Sequence, residues 1–165
     1  MVHIEVIQVG QFATNCYVIQ SEESSSCVVV DPGGQPERVI DYLDGRNLKP
    51  ELIIATHAHA DHTAAVTPLV DRYKCEFAIG TADVQAAAEQ SEWLTGLLED
   101  FVDPPAPAVH LSGGEDLVYE GLEIEVLATP GHTPGSISLL IDEYVLTGDT
   151  LFRESIGRFD LPGHP

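Results

Sequence analysis

Positive charge is what this sequence has least of. Its 165 residues carry seven Lys and Arg against 27 Asp and Glu, a formal net charge of −20. Neither Lys nor Arg occurs between Cys75 and Phe152, where 15 acidic residues do. Nucleic-acid binding draws its affinity from cationic contacts with phosphate, so that class of partner is not expected. An anionic membrane surface is disfavoured on the same ground. The acid excess reads as a solvated surface. A run of about 18 apolar residues is also lacking, so no membrane span is expected. The start, Met1-Val2-His3-Ile4-Glu5-Val6, has no basic region leading into an apolar stretch, which argues against a secretory signal and for a cytoplasmic protein. Cysteine is scarce too. Cys16, Cys27 and Cys75 have neither metal-ligand nor redox spacing and read as reduced residues of the interior.

What is present is a globular composition, 44% apolar and 21% charged, read as one domain over residues 1–165. The alternation at His3–Val9 and the apolar runs Asn15–Ile19 and Cys27–Asp31 predict strands. Asp31-Pro32-Gly33-Gly34 then stops the chain. Pro36–Leu48 reads as a helix with Val39, Ile40 and Leu43 on one face. A buried strand is expected over Glu51–Thr56, followed by a helix over Asp61–Tyr73 with Pro68 inside it. Another strand (Glu76–Ile79) and helix (Ala82–Gln90) follow. An amphipathic stretch, Ser91–Phe101, carries Trp93, Leu94 and Leu97 as a core stripe. A stiff linker, Asp103–Ala108, leads to strands at Glu123–Ala128, Ser136–Ile141 and Tyr144–Leu146. Two groups of strands separated by helices point to a layered α/β domain. Phe12 and Tyr17 are read as packing residues.

The strongest chemical signal is Thr56-His57-Ala58-His59-Ala60-Asp61-His62. Three histidines and an aspartate fall between an apolar strand and a helix. At a strand end, period two sends His57 and His59 to one side. Asp61 and His62 sit where the chain turns back into the helix. Imidazole and carboxylate are ligands for zinc, iron or manganese. Two further segments share the design of a His or Asp just after an apolar strand. They are Thr129-Pro130-Gly131-His132-Thr133-Pro134-Gly135 and Leu146-Thr147-Gly148-Asp149-Thr150. Loops on one edge of a layered domain converge, so these side chains can meet in a dinuclear metal site.

These three segments, with the following Gly157-Arg158-Phe159-Asp160-Leu161-Pro162-Gly163, resemble the metallo-β-lactamase superfamily, closest to its glyoxalase II-like (hydroxyacylglutathione hydrolase-like) branch. The resemblance implies a four-layer αββα sandwich. It implies one metal held by His57, His59 and His132, a second held by Asp61 and His62, and Asp149 bridging. Two zinc ions are expected, with iron or manganese as substitutes. The implied activity is hydrolysis of a small thioester by metal-activated water, with Asp61 orienting that water and Thr56 and Thr133 steadying the ligands. The family continues to a further strand, a helix and a Pro-Gly-His-Gly-Pro segment, so this chain is expected to be C-terminally incomplete relative to it and open to self-association. His164 superficially resembles the histidine of that segment but by register belongs to the preceding stretch. Arg158 and Asp160 are expected to form a buried ion pair. An iron persulfide dioxygenase of the same fold, needing only His57, His132 and Asp149, is the alternative activity. A non-catalytic metal-binding fragment is the alternative of another class. A β-lactamase role is disfavoured by the missing export signal.

A net charge of −20 opposes compaction unless it is screened. Raising NaCl from about 0.05 M to about 1 M shortens the screening length to about 3 Å. The thermal unfolding midpoint is expected to rise over that range. A midpoint that is flat or falls in a fluorescence melt would show that the acidic groups do not repel one another in the folded chain.

Overall fold

The computed structural model describes residues 1–22, 24–93 and 101–160. Three strands open the chain: β1 (Val2–Val9), β2 (Thr14–Ser21) and β3 (Ser26–Val30). They pair antiparallel in sequence order. From β3 onward the sheet is parallel through β4 (Lys49–Ala55), β5 (Glu76–Gly80) and β6 (Val109–Leu111). Parallel neighbours need crossovers, and helices supply them. Helix α1 (Pro36–Gly45) joins β3 to β4, and α2 (Ala60–Thr63) and α3 (Val66–Tyr73) join β4 to β5. A 3₁₀ turn at Thr81–Asp83, α4 (Val84–Ala88) and α5 (Gln90–Trp93) follow β5. A second, antiparallel sheet comprises β7 (Asp116–Tyr119), β8 (Leu122–Ala128), β9 (Ile137–Ile141) and β10 (Tyr144–Leu146). The short hairpin β11 (Leu151–Phe152) and β12 (Ser155–Ile156) closes the described chain.

The period of two explains the layering. Val28, Val30, Leu52 and Ile54 point from the first sheet into a core shared with Leu122, Ile124, Val126, Leu139 and Ile141 of the second. Cys27, Val29, Ile53 and Ala55 point the other way, onto Val39 and Leu43 of α1 and Val66 and Leu69 of α3. β3 and β4 are buried on both faces, which is why they read as unbroken apolar runs. Burial pushes the Cys27 thiol up to about 12 and the Cys16 thiol higher still, so both behave as apolar fillers.

The expected α/β arrangement is present, and the described residues form three of its four layers: helices, first sheet and second sheet. The outer face of the second sheet presents Val118, Glu123, Glu125 and Val145, and no helix lies against it among the described residues. The helix expected over residues 61–73 is two helices. Chain direction changes at Ala64–Ala65, and Pro68 falls in the first turn of α3, where its missing N–H costs no hydrogen bond. The helix expected over residues 82–90 is likewise a 3₁₀ turn and two short helices. Strands β6, β7, β11 and β12 had no counterpart in the sequence reading. They are short, and β7 alternates only over four residues. Leu94 and Leu97 of the amphipathic stretch lie outside the described residues.

The two sheets meet closely at one edge. The Ile137 N–H donates to the Thr56 carbonyl at 2.9 Å. A Cβ on Gly80 would stand 1.9 Å from the Gly135 carbonyl oxygen. Gly80→Ala is therefore expected to lower unfolding stability by about 1–3 kcal/mol, as overpacking does. Val118→Ala, on the exposed outer face, should stay within about 0.5 kcal/mol. Urea titrations of the two variants read the difference.

Candidate metal centre

Five loops leave strands of both sheets on the same edge and carry the histidines and carboxylates of the centre. Asp31 follows β3, residues 56–62 follow β4, and Asp83 follows β5. Residues 129–135 follow β8, and residues 147–150 follow β10. Open α/β sheets place their ligands just beyond the carboxyl ends of parallel strands, and β3, β4 and β5 do so here.

His57, His59 and His132 converge although His132 lies far along the chain. Their ligating nitrogens lie within 4.8 Å of one another. His59 Nδ1 is 3.1 Å from His57 Nε2 and 2.9 Å from His132 Nε2. Tetrahedral nitrogen ligands at roughly 2.0–2.1 Å from zinc stand about 3.3 Å apart, so the triangle is close to the size a metal requires. Hydrogen bonds outside the triangle set which nitrogens face inward. Thr56 Oγ1 donates to Asp31 Oδ2 at 2.8 Å and so accepts from His57 Nδ1–H at 3.1 Å. His132 Nδ1–H donates to the Arg158 carbonyl at 2.8 Å. Both rings therefore keep Nδ1 on the outside and turn Nε2 toward the centre. Burial, and then the surrounding rings of His62, His59 and His132, hold the His57 pKa well below its ordinary value. His59 is lowered as well, by burial first and His132 second. Neutral rings are the form that binds a metal.

A second donor set lies alongside: His57, His62 and Asp149. Asp149 turns one oxygen to each half of the centre. Its Oδ1 is 3.3 Å from His62 Nε2, and its Oδ2 is 3.5 Å from His132 Nε2. Asp61 is near but outside the tightest group, with Oδ2 3.6 Å from His62 Nε2 and 3.5 Å from the Thr14 hydroxyl that donates to it. His62 differs electrostatically from the other rings. Burial opposes its charge, but Asp31, Asp149 and Asp61 outweigh burial and push its pKa up to about 10. Burial alone would raise the Asp149 pKa, yet the hydrogen bond and charge of His62 leave it lowered. In the absence of a cation, His62 thus acts as the positive charge among three carboxylates. All six residues expected as ligands from the sequence are therefore gathered at one place, and the chemistry of both donor sets fits a divalent cation.

Two buried carboxylates organise the centre. Asp31, 1% exposed, accepts from the Thr56 N–H at 2.7 Å and the Thr56 hydroxyl at 2.8 Å, and its Oδ2 is 2.9 Å from His62 Nδ1. Asp83, also 1% exposed, reaches two loops at once. It accepts from the Ala58 N–H at 2.8 Å, between the two histidines of one loop. It also accepts from the Thr133 hydroxyl and the Gly135 N–H, each at 2.7 Å, beside His132 in the other. Neither carboxylate was singled out from the sequence. Asp31 stands beside a turn signal and reads as part of it. Asp83 sits in an unremarkable Thr-Ala-Asp, with its partners 25 to 52 residues away. Thr56 and Thr133 do steady the ligands, through these two carboxylates.

Two expectations change. Arg158 and Asp160 form an ion pair at 3.0 Å that is exposed, 68% and 66%, rather than buried. Two residues apart in extended chain, they point to solvent together. What Arg158 supplies to the centre is its backbone carbonyl. Phe12 is 72% exposed and packs in no core, because it sits at the tip of the β1–β2 turn. His164 lies outside the described residues.

The sequence signature of the metallo-beta-lactamase superfamily matches residues 9–165. A hydroxyacylglutathione hydrolase, GloC, of Haemophilus influenzae is 32% identical over 171 residues, covering 97% of this chain and 77% of that protein. Among solved structures, the BLEG-1 B3 metallo-beta-lactamase superposes with a TM-score of 0.89 at 30% identity, covering 98% of this chain and 79% of its own. TTHA1623 in a di-iron-bound form superposes with a TM-score of 0.86 at 32% identity, covering 97% and 79%.

Asp83→Ala leaves two buried backbone N–H groups without acceptors and unfastens the loops of His57, His59 and His132 from each other. Zinc affinity, measured by competition with a chromogenic chelator, is expected to fall about 10- to 100-fold, the range for loss of a group that orients ligands. An unchanged affinity in a folded variant would show that the two loops hold their positions without it.

Proposed function

The chain belongs to the metallo-β-lactamase superfamily, and from that premise we propose that it is a metal-dependent hydrolase of small acyl substrates, thioesters foremost. The observation that carries the reading is the pair of donor sets sharing His57, with Asp149 turned to both. The second set borders a cleft of about 540 Å³ lined by Asp61, His62 and Asp149 and by Phe12 and Phe152. The similarity to a hydroxyacylglutathione hydrolase favours a thioester.

His57, His59 and His132 would hold one ion, and His62, Asp61 and Asp149 a second, zinc being the expected metal and iron the substitute. A bound divalent cation supplies a coordinated water acidified toward a pKa of about 7 and polarises a carbonyl. The residues supply the rest. The buried rings present neutral nitrogens and are held from behind by Thr56 and the Arg158 carbonyl. His62 releases its proton on ligation, relieving the positive charge that the three carboxylates sustain. Asp61, one-third exposed and outside the tightest donor group, accepts a hydrogen bond from the attacking water and takes its proton. The same carboxylate can then return that proton to the departing thiolate.

The test is thiol release from a panel of small thioesters by zinc-loaded protein, with metal content measured on the same sample. Hydrolysis abolished by a chelator and restored by zinc is expected. Asp61→Asn should lower kcat by about 10²- to 10⁴-fold while the first zinc remains bound. No hydrolysis by fully loaded protein would sink the reading. Oxygen consumption on a persulfide by protein holding one iron would replace it with the dioxygenase alternative.

A further inference from the structure

The chain has five arginines, and four are engaged within the fold. Arg38 donates to the Gln8 carbonyl, and Arg46 lies 4.0 Å above the Tyr42 ring. Arg72 is paired with Asp44, and Arg158 with Asp160. Arg153 has no carboxylate, carbonyl or ring partner among the described residues, in a chain where acids outnumber bases almost four to one. It is also the one Lys or Arg among the described residues that line the metal-centre cleft. Its position is fixed by the backbone. Leu151 pairs with Ile156 and Phe152 with Ser155, so Arg153 and Glu154 form the two-residue tip of a tight hairpin, with Glu154 in the left-handed region at φ 65°.

Exposed apolar side chains stand beside Arg153 at the cleft. Phe12, Leu151 and Phe152 line it and are 72%, 58% and 44% exposed. Large side chains left in water around a cleft are what a ligand covers. The floor has the opposite character, because Asp31, Asp61 and Asp149 gather there. An anionic group is repelled from the carboxylates at the floor, and from the protein as a whole, unless a cation holds it. Apart from His62 and the metals the floor would hold, all set among those carboxylates, the cation that lines the cleft is Arg153 at its mouth. Resting on the hydrolase reading, we infer that the substrate is a monoanion: its reacting carbonyl lies at the floor, an apolar portion lies against Phe12, Leu151 and Phe152, and one carboxylate is held by Arg153. A guanidinium matches a carboxylate through two parallel hydrogen bonds, which fixes orientation as well as charge. Substrates with several negative charges are selected against, since one arginine faces a net charge of −20.

Two experiments separate this inference from the reading beneath it. The first compares phenylacetyl thioesters of mercaptoacetate, with one carboxylate, and of mercaptoethanol, which is neutral. With zinc-loaded protein, Arg153→Gln should raise KM for the anionic thioester about 10-fold at unchanged kcat. Arg153→Glu should raise it further, and KM for the neutral thioester should not move with either variant. Equal changes for both thioesters would overturn the inference. The second measures binding of phenylacetate, with benzyl alcohol as the neutral control, to metal-free protein by NMR titration. Weakening of phenylacetate alone by Arg153→Gln establishes the subsite even if no thioester is cleaved, in which case the hydrolase reading falls and the subsite stands. Phenylacetate binding that is unaffected by Arg153→Gln overturns the inference whatever the activity.

Discussion

Everything at the metal centre depends on two buried carboxylates, Asp31 and Asp83, each of which accepts hydrogen bonds from the backbone of the loops it fastens. Asp83 draws its neighbours from two loops attached to different sheets. Asp31 fastens the first turn after β4 and, through Thr56, the orientation of His57. A buried carboxylate is costly unless its oxygens are occupied, and its partners are equally costly to strand. The arrangement therefore resists partial loosening. Withdrawing either carboxylate leaves several polar groups dry at once. This rigidity lets the His59 nitrogen stand about 3 Å from those of both His57 and His132 without drifting toward better separation.

The histidine-rich segment was legible because its chemistry is local. His57, His59, Asp61 and His62 fall in one strand-to-helix turn, and no packing information is needed to see that they share a site. His132 and Asp149 were legible through position, each just past an apolar strand. The first sheet was legible from the unbroken apolar runs of β3 and β4, and the second from the alternation at the start of β8 and the apolar run of β9. Asp83 was not legible, because its role exists only where β5, the β4 loop and the β8 loop meet. The break between α2 and α3 was hidden by a continuous apolar stripe, which registers one face and not a change of axis. Arg158 misled in the opposite way. Its charge suggested a buried pair, while its contribution runs through a carbonyl that any residue would carry.

The histidines are not electrostatically alike. His57 and His59 are kept neutral by burial and by each other, whereas His62 is kept protonated by three carboxylates. One half of the centre is thus ready to ligate, and the other must first exchange a proton for a cation. The two halves share His57 and Asp149, so filling one alters the charge felt by the other. Unequal, coupled affinities follow from the residues alone, without any difference in the identity of the ions.

The distance along the chain between His59 and His132, 73 residues, also bears on the order in which the molecule is built. Closing a loop of that length carries an entropic penalty that only the pairing of both sheets offsets. Before then, an emerging chain offers His57, His59 and His62 as a local chelate with the wrong membership. Ions captured at that stage would have to change partners as the second sheet docks. Assembly of the centre is therefore a late event in folding, and the supply of free metal during synthesis acts on the yield of correctly filled protein rather than only on its final occupancy.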